Sequence, residues 1–187
     1  MDIQHQMAVK IADFIDSRKE EETEESVEQK LLLIYGIEVF LNEFLKMAVV
    51  LACGILLGEI PLILCAMVFL LLLRRYAGGK HFESNLICFC VTWFSLVAVP
   101  IIGKTTAMPV AAMVAIGIVE AILLLIYAPS KADEDYTRKQ RLILKTKTMV
   151  VYGIGLWGSW FFGGIEYLRA MMLVALVVAI TAIRIKK

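Results

Sequence analysis

The sequence predicts an all-α, polytopic integral membrane protein of about six transmembrane helices, preceded by an N-terminal amphipathic helix. Three observations predict it. Hydrophobic residues make up 60% of the 187-residue chain and the mean hydropathy is +0.77, whereas a soluble domain is nearer about half apolar. The excess is gathered into runs close to the roughly 20 apolar residues that carry a helix across a bilayer. The basic residues between those runs are divided very unequally between the two faces that six crossings would create.

The elements follow in order. Over residues 2–18 the apolar side chains Ile3, Met7, Ile11, Phe14 and Ile15 recur at helical spacing, with Asp2, Lys10, Asp13, Asp16 and Arg18 mostly off that stripe. Two readings stay open for it: a short helix packed on its own bundle, or a helix lying in the membrane interface. His5, within it, reads as a surface residue. Residues 19–25 (KEEETEE) form an acidic linker. Ser26 and Gln29 make a capping-box pattern ahead of the first long helix, expected over 27–57. At 1.5 Å per residue that helix is about 45 Å long, so its first turns project beyond a hydrocarbon core of about 30 Å. The whole chain, 1–187, reads as one membrane domain, with a cytoplasmic amphipathic and acidic segment (1–25) and a helical bundle (26–187). The first thirty residues hold nine acidic and four basic residues, unlike the basic, then apolar, start of a signal peptide. Targeting by the first membrane helix is therefore expected.

Gly58, Glu59 and Pro61 break the chain before a second apolar run, 61–73. Residues 74–84 (RRYAGGKHFES) are a polar loop. A third run covers 86–102, 103–106 turn, and a fourth run covers 107–128. Residues 129–147 are a long polar connection. A fifth run, 149–162, is rich in Gly and Trp, 163–169 turn again, and the last run covers 170–183. One face then receives both termini, the 74–84 loop and the 129–147 loop. The two loops and the C-terminal tail on that face hold twelve Lys and Arg residues: Arg74, Arg75, Lys80, Lys131, Arg138, Lys139, Arg141, Lys145, Lys147, Arg184, Lys186 and Lys187. The other face holds Lys104 and Arg169. The positive-inside rule makes the first face cytoplasmic.

The net charge of +1 names no partner, and no nucleic acid is expected. The four cysteines (Cys53, Cys65, Cys88, Cys90) form no CxxC pair and suggest no disulfide framework. His81, Cys88 and Cys90 match no common zinc spacing, so neither a metal nor another cofactor is expected. Glu43 and Lys46 stand i, i+3 on the first span and can neutralise each other. Glu120, inside the fourth span, is either a functional group or a partner in a helix–helix hydrogen bond.

The segment RRYAGGKHFESNLICFC joins two glycines, a histidine and a thiol at a membrane boundary. A thiolate, not a thiol, is the nucleophile, and an imidazole can take its proton. Ser84 would cap the third span and put Cys88 in its first turn, where the helix dipole favours negative charge. On one straight helix His81 and Cys88 would stand about 10 Å apart, beyond the ~3 Å of a proton transfer. The pair works only if 81–84 are not helical and His81 folds back. The bland alternatives are an interfacial histidine and a cysteine that packs.

This segment resembles the signature of the AgrB (accessory gene regulator protein B) family: an arginine, Gly-Gly-x-His, and a cysteine seven residues after the histidine. Arg74, Gly78, Gly79, His81 and Cys88 match it in order and spacing. Tyr127-Ala128-Pro129, ending a span before a lysine-rich loop, is a second match. The loop departs from the family, having Ser130-Lys131-Ala132-Asp133 and no second proline, which sets its substrate contacts apart from the pattern. The resemblance implies a cysteine endopeptidase of the Gram-positive cell membrane that cuts a small propeptide and yields a cyclic quorum-sensing signal. By the same analogy Cys88 is the nucleophile and His81 the base, with Arg74, Gly78 and Gly79 binding substrate or supporting the site. The expected partners are the propeptide, the lipid bilayer and a second copy of the chain. The alternative is a membrane peptide exporter or binding protein without catalysis.

Overall fold

The computed structural model describes residues 3–16, 24–78, 85–130 and 136–183. Every regular element among them is helical: α1 (Ile3–Asp16), α2 (Glu24–Leu57), α3 (Ile60–Ala77), α4 (Asn85–Trp93), α5 (Val99–Thr105), α6 (Val110–Tyr127) and α7 (Arg138–Ala182). A π-helical stretch, Phe94–Ala98, makes α4 and α5 continuous. Five of the resulting rods are long and apolar enough to cross a membrane. The expected class is therefore found, and the count of about six differs for one reason. Residues 138–182 are a run of 45 residues that is helical on both sides of one kink; a straight helix of that length would be about 67 Å, more than twice the ~30 Å hydrocarbon core. Gly164 inside it has φ 65° and ψ −155°, a backbone region essentially confined to glycine. It divides α7 into two arms, 138–163 and 165–182, so the turn expected over 163–169 contracts to one residue.

The chain falls into two compact units, Met1–Val49 and Val50–Lys187. In the first, Asp13 and Lys30 form a 2.8 Å ion pair between α1 and α2. Ala8 and Ala12 are buried while Met7, Ile11 and Phe14 are exposed. Two small residues of α1 are thus covered while Met7 and Ile11 face outward, as an interfacial helix requires. Lys46 and Glu43 do pair, at 2.7 Å.

In the second unit α7 packs on α3, α5 and α6. Lipid tails are as apolar as leucine, so close packing of small residues takes the place of hydrophobic exclusion. Gly103 of α5 lies against the backbone at Ala170, and Gly155 against the ring of Phe69. The turn after α2 is a Schellman motif: Gly58 (φ 69°) donates to Ile55, and Glu59 to Gly54. Pro100 explains the π-helical stretch. It lacks an N–H and crowds the carbonyl of Leu96, and the Val99 amide reaches back to Phe94 instead. The polar connection expected over 129–147 is half helix. Thr137 and Gln140 form a reciprocal capping box that starts α7 at Arg138.

The connections sort to two ends. At one, Glu59 before α3 pairs with Lys104 of α5 at 2.5 Å, and Arg169 of α7 donates to the Lys104 carbonyl at 3.1 Å. At the other, the Ser130 amide beyond α6 donates to the Ala77 carbonyl at 2.9 Å, and Lys147 of α7 lies 5.6 Å from the ring centroid of Tyr76.

Candidate active site

The site builds from the end of α3. Arg74 and Arg75 occupy its last turn, where cations suit the negative end of the helix dipole. Gly78 caps it with φ 76° and ψ −157°, donating its N–H to the Arg74 carbonyl at 2.9 Å. That conformation is essentially open only to glycine, which gives the first glycine of the Gly78-Gly79 pair a physical reason. Arg74 is half-buried and Gly78 buried.

α4 opens at Asn85, and Cys88 is its fourth residue, half-buried in the first turn. This is the register expected for it. Cys90 is exposed, and none of the four cysteines is in a disulfide. Gly79, Lys80, His81 and the expected cap Ser84 lie outside the described residues, as does the side chain of His5.

A second segment meets the first. The hydrogen bond from Ser130 to Ala77 fixes the residues after Tyr127-Ala128-Pro129 to the residue before Gly78. The Ala128–Pro129 peptide is cis. Beside it lies a small pocket of about 120 Å³ lined by Ile126, Tyr127, Ala128, Pro129, Arg141 and Lys145. The sequence showed both motifs but not that they touch. They are more than forty positions apart, and the link runs between backbone groups, which carry no sequence signal.

Two other features stand apart from Cys88. A cavity of about 760 Å³ runs between α3 and the first arm of α7 and is lined by residues such as Leu64, Val68, Phe69, Ile154 and Phe162. Neither Cys88 nor Arg74 lines it, so its size does not make it the place of the chemistry. Glu120 is fully buried. The Tyr152 hydroxyl lies 2.8 Å from its Oε2 and 3.2 Å from the Gly117 carbonyl. Glu120 thus makes the helix–helix hydrogen bond that was one of its two readings.

Comparison with known proteins bears on the whole chain. The family model described as Accessory gene regulator B matches residues 8–185, a span that includes Arg74, Gly78, Gly79, His81 and Cys88. A protein of Lactiplantibacillus plantarum described as AgrB-like is 36% identical over 78 residues. That match spans 42% of this chain and 39% of the relative. No solved structure matches the chain. With the family model covering nearly its full length, the chain belongs to the accessory gene regulator B (AgrB) family.

Proposed function

We propose that this protein is a membrane cysteine endopeptidase that removes the C-terminal tail of a small propeptide and lets the remainder cyclise into a quorum-sensing signal. The observation that carries the reading is Cys88 in the first turn of a membrane helix, at the family spacing from His81, in a chain that belongs to the AgrB family. Gly78, held at the end of α3 in a conformation essentially open only to glycine, gives the first glycine of the family pattern a structural reason.

His81 takes the thiol proton of Cys88, and the thiolate attacks a backbone carbonyl of the propeptide. The tetrahedral oxyanion is stabilised by donors aimed at it; the backbone amides at the start of α4 and Arg74 are the candidates. The C–N bond breaks, His81 returns the proton to the departing amine, and a thioester to Cys88 remains. A thiol or hydroxyl within the bound peptide then attacks the acyl carbon. The bond to Cys88 breaks, a proton returns to its sulfur, and a thiolactone or lactone leaves. Exchange of one thioester for another changes the free energy little, so restricted water access at the membrane boundary protects the intermediate from hydrolysis.

The proposal places both termini and the Arg74–Cys88 region at the cytoplasmic face of a Gram-positive cell membrane, in line with the basic residues at that end. It includes a homodimer, for which the first arm of α7 offers the open glycines Gly153 and Gly158. Co-expression with a candidate propeptide tests the chemistry. Mass spectrometry should find the tail removed by the parent and the propeptide intact with Cys88→Ala or His81→Ala. Processing by Cys88→Ala at the parental level rejects the mechanism; intact propeptide accumulating outside membrane vesicles would instead favour an exporter.

A further inference from the structure

The pocket at the junction of α6 and α7 contains two cations that nothing described in the protein neutralises. Arg141 and Lys145 stand i, i+4 on α7, on one face of the helix, and both line the roughly 120 Å³ pocket. Among the described residues neither forms an ion pair. The opposite wall is the end of α6, Ile126 to Pro129. The volume suits one phosphate group and no large ligand.

Its depth is informative. α6 is the most apolar of the candidate spans and ends at Tyr127, an aromatic of the type that marks the level of lipid headgroups. The first arm of α7, about 39 Å long, exceeds the ~30 Å hydrocarbon core, so its opening turns rise into the same headgroup layer. Below the pocket the outer face of α6 continues as Ile126, Ile122 and Ile118, all about half or more exposed and spaced i, i+4. A polar, doubly cationic pocket therefore sits directly over an apolar track that descends into the bilayer. A free phosphate would use the first feature and leave the second unused. An acidic peptide would use the charges without needing the track.

We propose that Arg141, Lys145 and the Tyr127–Pro129 turn form a binding site for the headgroup phosphate of an anionic phospholipid, with an acyl chain lying along Ile118, Ile122 and Ile126. Arg141 and Lys145 supply charge-assisted hydrogen bonds to the phosphate oxygens. The bound lipid bridges α6 to α7 immediately beside Ser130, whose amide holds the Ala77 carbonyl. The site does not depend on the peptidase reading, because its test is lipid retention.

The full-length protein in detergent is mixed with phosphatidylglycerol and phosphatidylcholine of identical acyl chains, and lipid retained per chain is read by native mass spectrometry. The parent should keep one phosphatidylglycerol in preference to phosphatidylcholine by about tenfold, the scale of two partly screened cations. Arg141→Gln with Lys145→Gln should abolish that preference. Lys139→Gln, on the same helix but not lining the pocket, should retain it. The charge-keeping pair Arg141→Lys with Lys145→Arg should also retain it, which separates loss of the site from loss of the fold. Equal retention of the two lipids by the parent overturns the proposal, as does an undiminished preference in the double Gln variant. Displacement by inorganic phosphate as readily as by short-chain phosphatidylglycerol assigns the site to free phosphate and overturns the lipid. Displacement by an Asp- and Glu-rich peptide, without lipid preference, assigns it to acidic peptide and does the same.

Discussion

Tyr152 brings a hydroxyl to a carboxyl group that no water reaches. Glu120 is completely buried between helices, and one of its oxygens is 2.8 Å from Tyr152 Oη. A buried polar group without a partner is costly, so this bond should help hold α6 to the first arm of α7. Tyr152→Phe is expected to lower unfolding stability in detergent by about 0.6–1.7 kcal/mol, the range measured for hydrogen bonds between membrane helices. In a double-mutant cycle with Glu120→Gln the two changes should be non-additive; additivity would mean that the two side chains do not act together. The residue scale is also where sequence reading reached furthest and then stopped. Glu120 announces itself, because an ionisable group within an apolar run is rare. Its partner does not, since Tyr152 in an apolar segment looks like any amphipathic aromatic. Cys88 was legible in the same way: counting from the expected cap set it in the first turn of a helix, and α4 has it there.

At the scale of elements, glycines decide how closely helices approach, and they are not equivalent. A Cβ on Gly103 would come within 2.6 Å of Ala170 Cα, and backbone cannot rotate aside as a side chain can. Gly103→Ala should separate α5 from α7, strain the adjoining bond from Arg169 to Lys104, and cost about 1–3 kcal/mol as overpacking. Gly153 meets nothing within 4 Å, so Gly153→Ala should leave the stability of the single chain almost unchanged. Thermal unfolding followed by circular dichroism separates the two; equal effects would show that general helix propensity, not close approach, governs these positions. The sequence reads Gly103 as part of a turn and Gly153 as one of several glycines in the fifth run, because spacing alone does not reveal which face is covered. The start of α7 was different. The pattern Thr137…Gln140 is readable as a capping box, but the charges around it gave the stretch the look of a loop. The π-helical stretch before Pro100 had a visible cause in the proline, although the slip in hydrogen bonding it produces depends on how that helix packs.

At the scale of the molecule, the central question is how many times the chain crosses the membrane, and α7 decides it. A straight 45-residue helix would be too long for one crossing, and a helix bent sharply at Gly164 crosses twice. The bond from Arg169 to the Lys104 carbonyl sets the bend beside the end of α5, whereas Lys147 lies over Tyr76 at the opposite end. These contacts require that 106, after α5, and 166, after the bend, share one side of the membrane, with 139 on the other. Thr106, Lys139 and Glu166 are all exposed, so single cysteines at these positions in an otherwise cysteine-free chain can be reached by a membrane-impermeant maleimide. In intact cells Thr106→Cys and Glu166→Cys should label, and Lys139→Cys should label only after the membrane is opened. The reverse pattern would keep six crossings and invert the orientation inferred from the basic residues. Labelling of Glu166→Cys together with Lys139→Cys, and apart from Thr106→Cys, would mean that the arm before the bend does not cross the bilayer. Six crossings would then fall to five, and the two chain ends would lie on opposite faces.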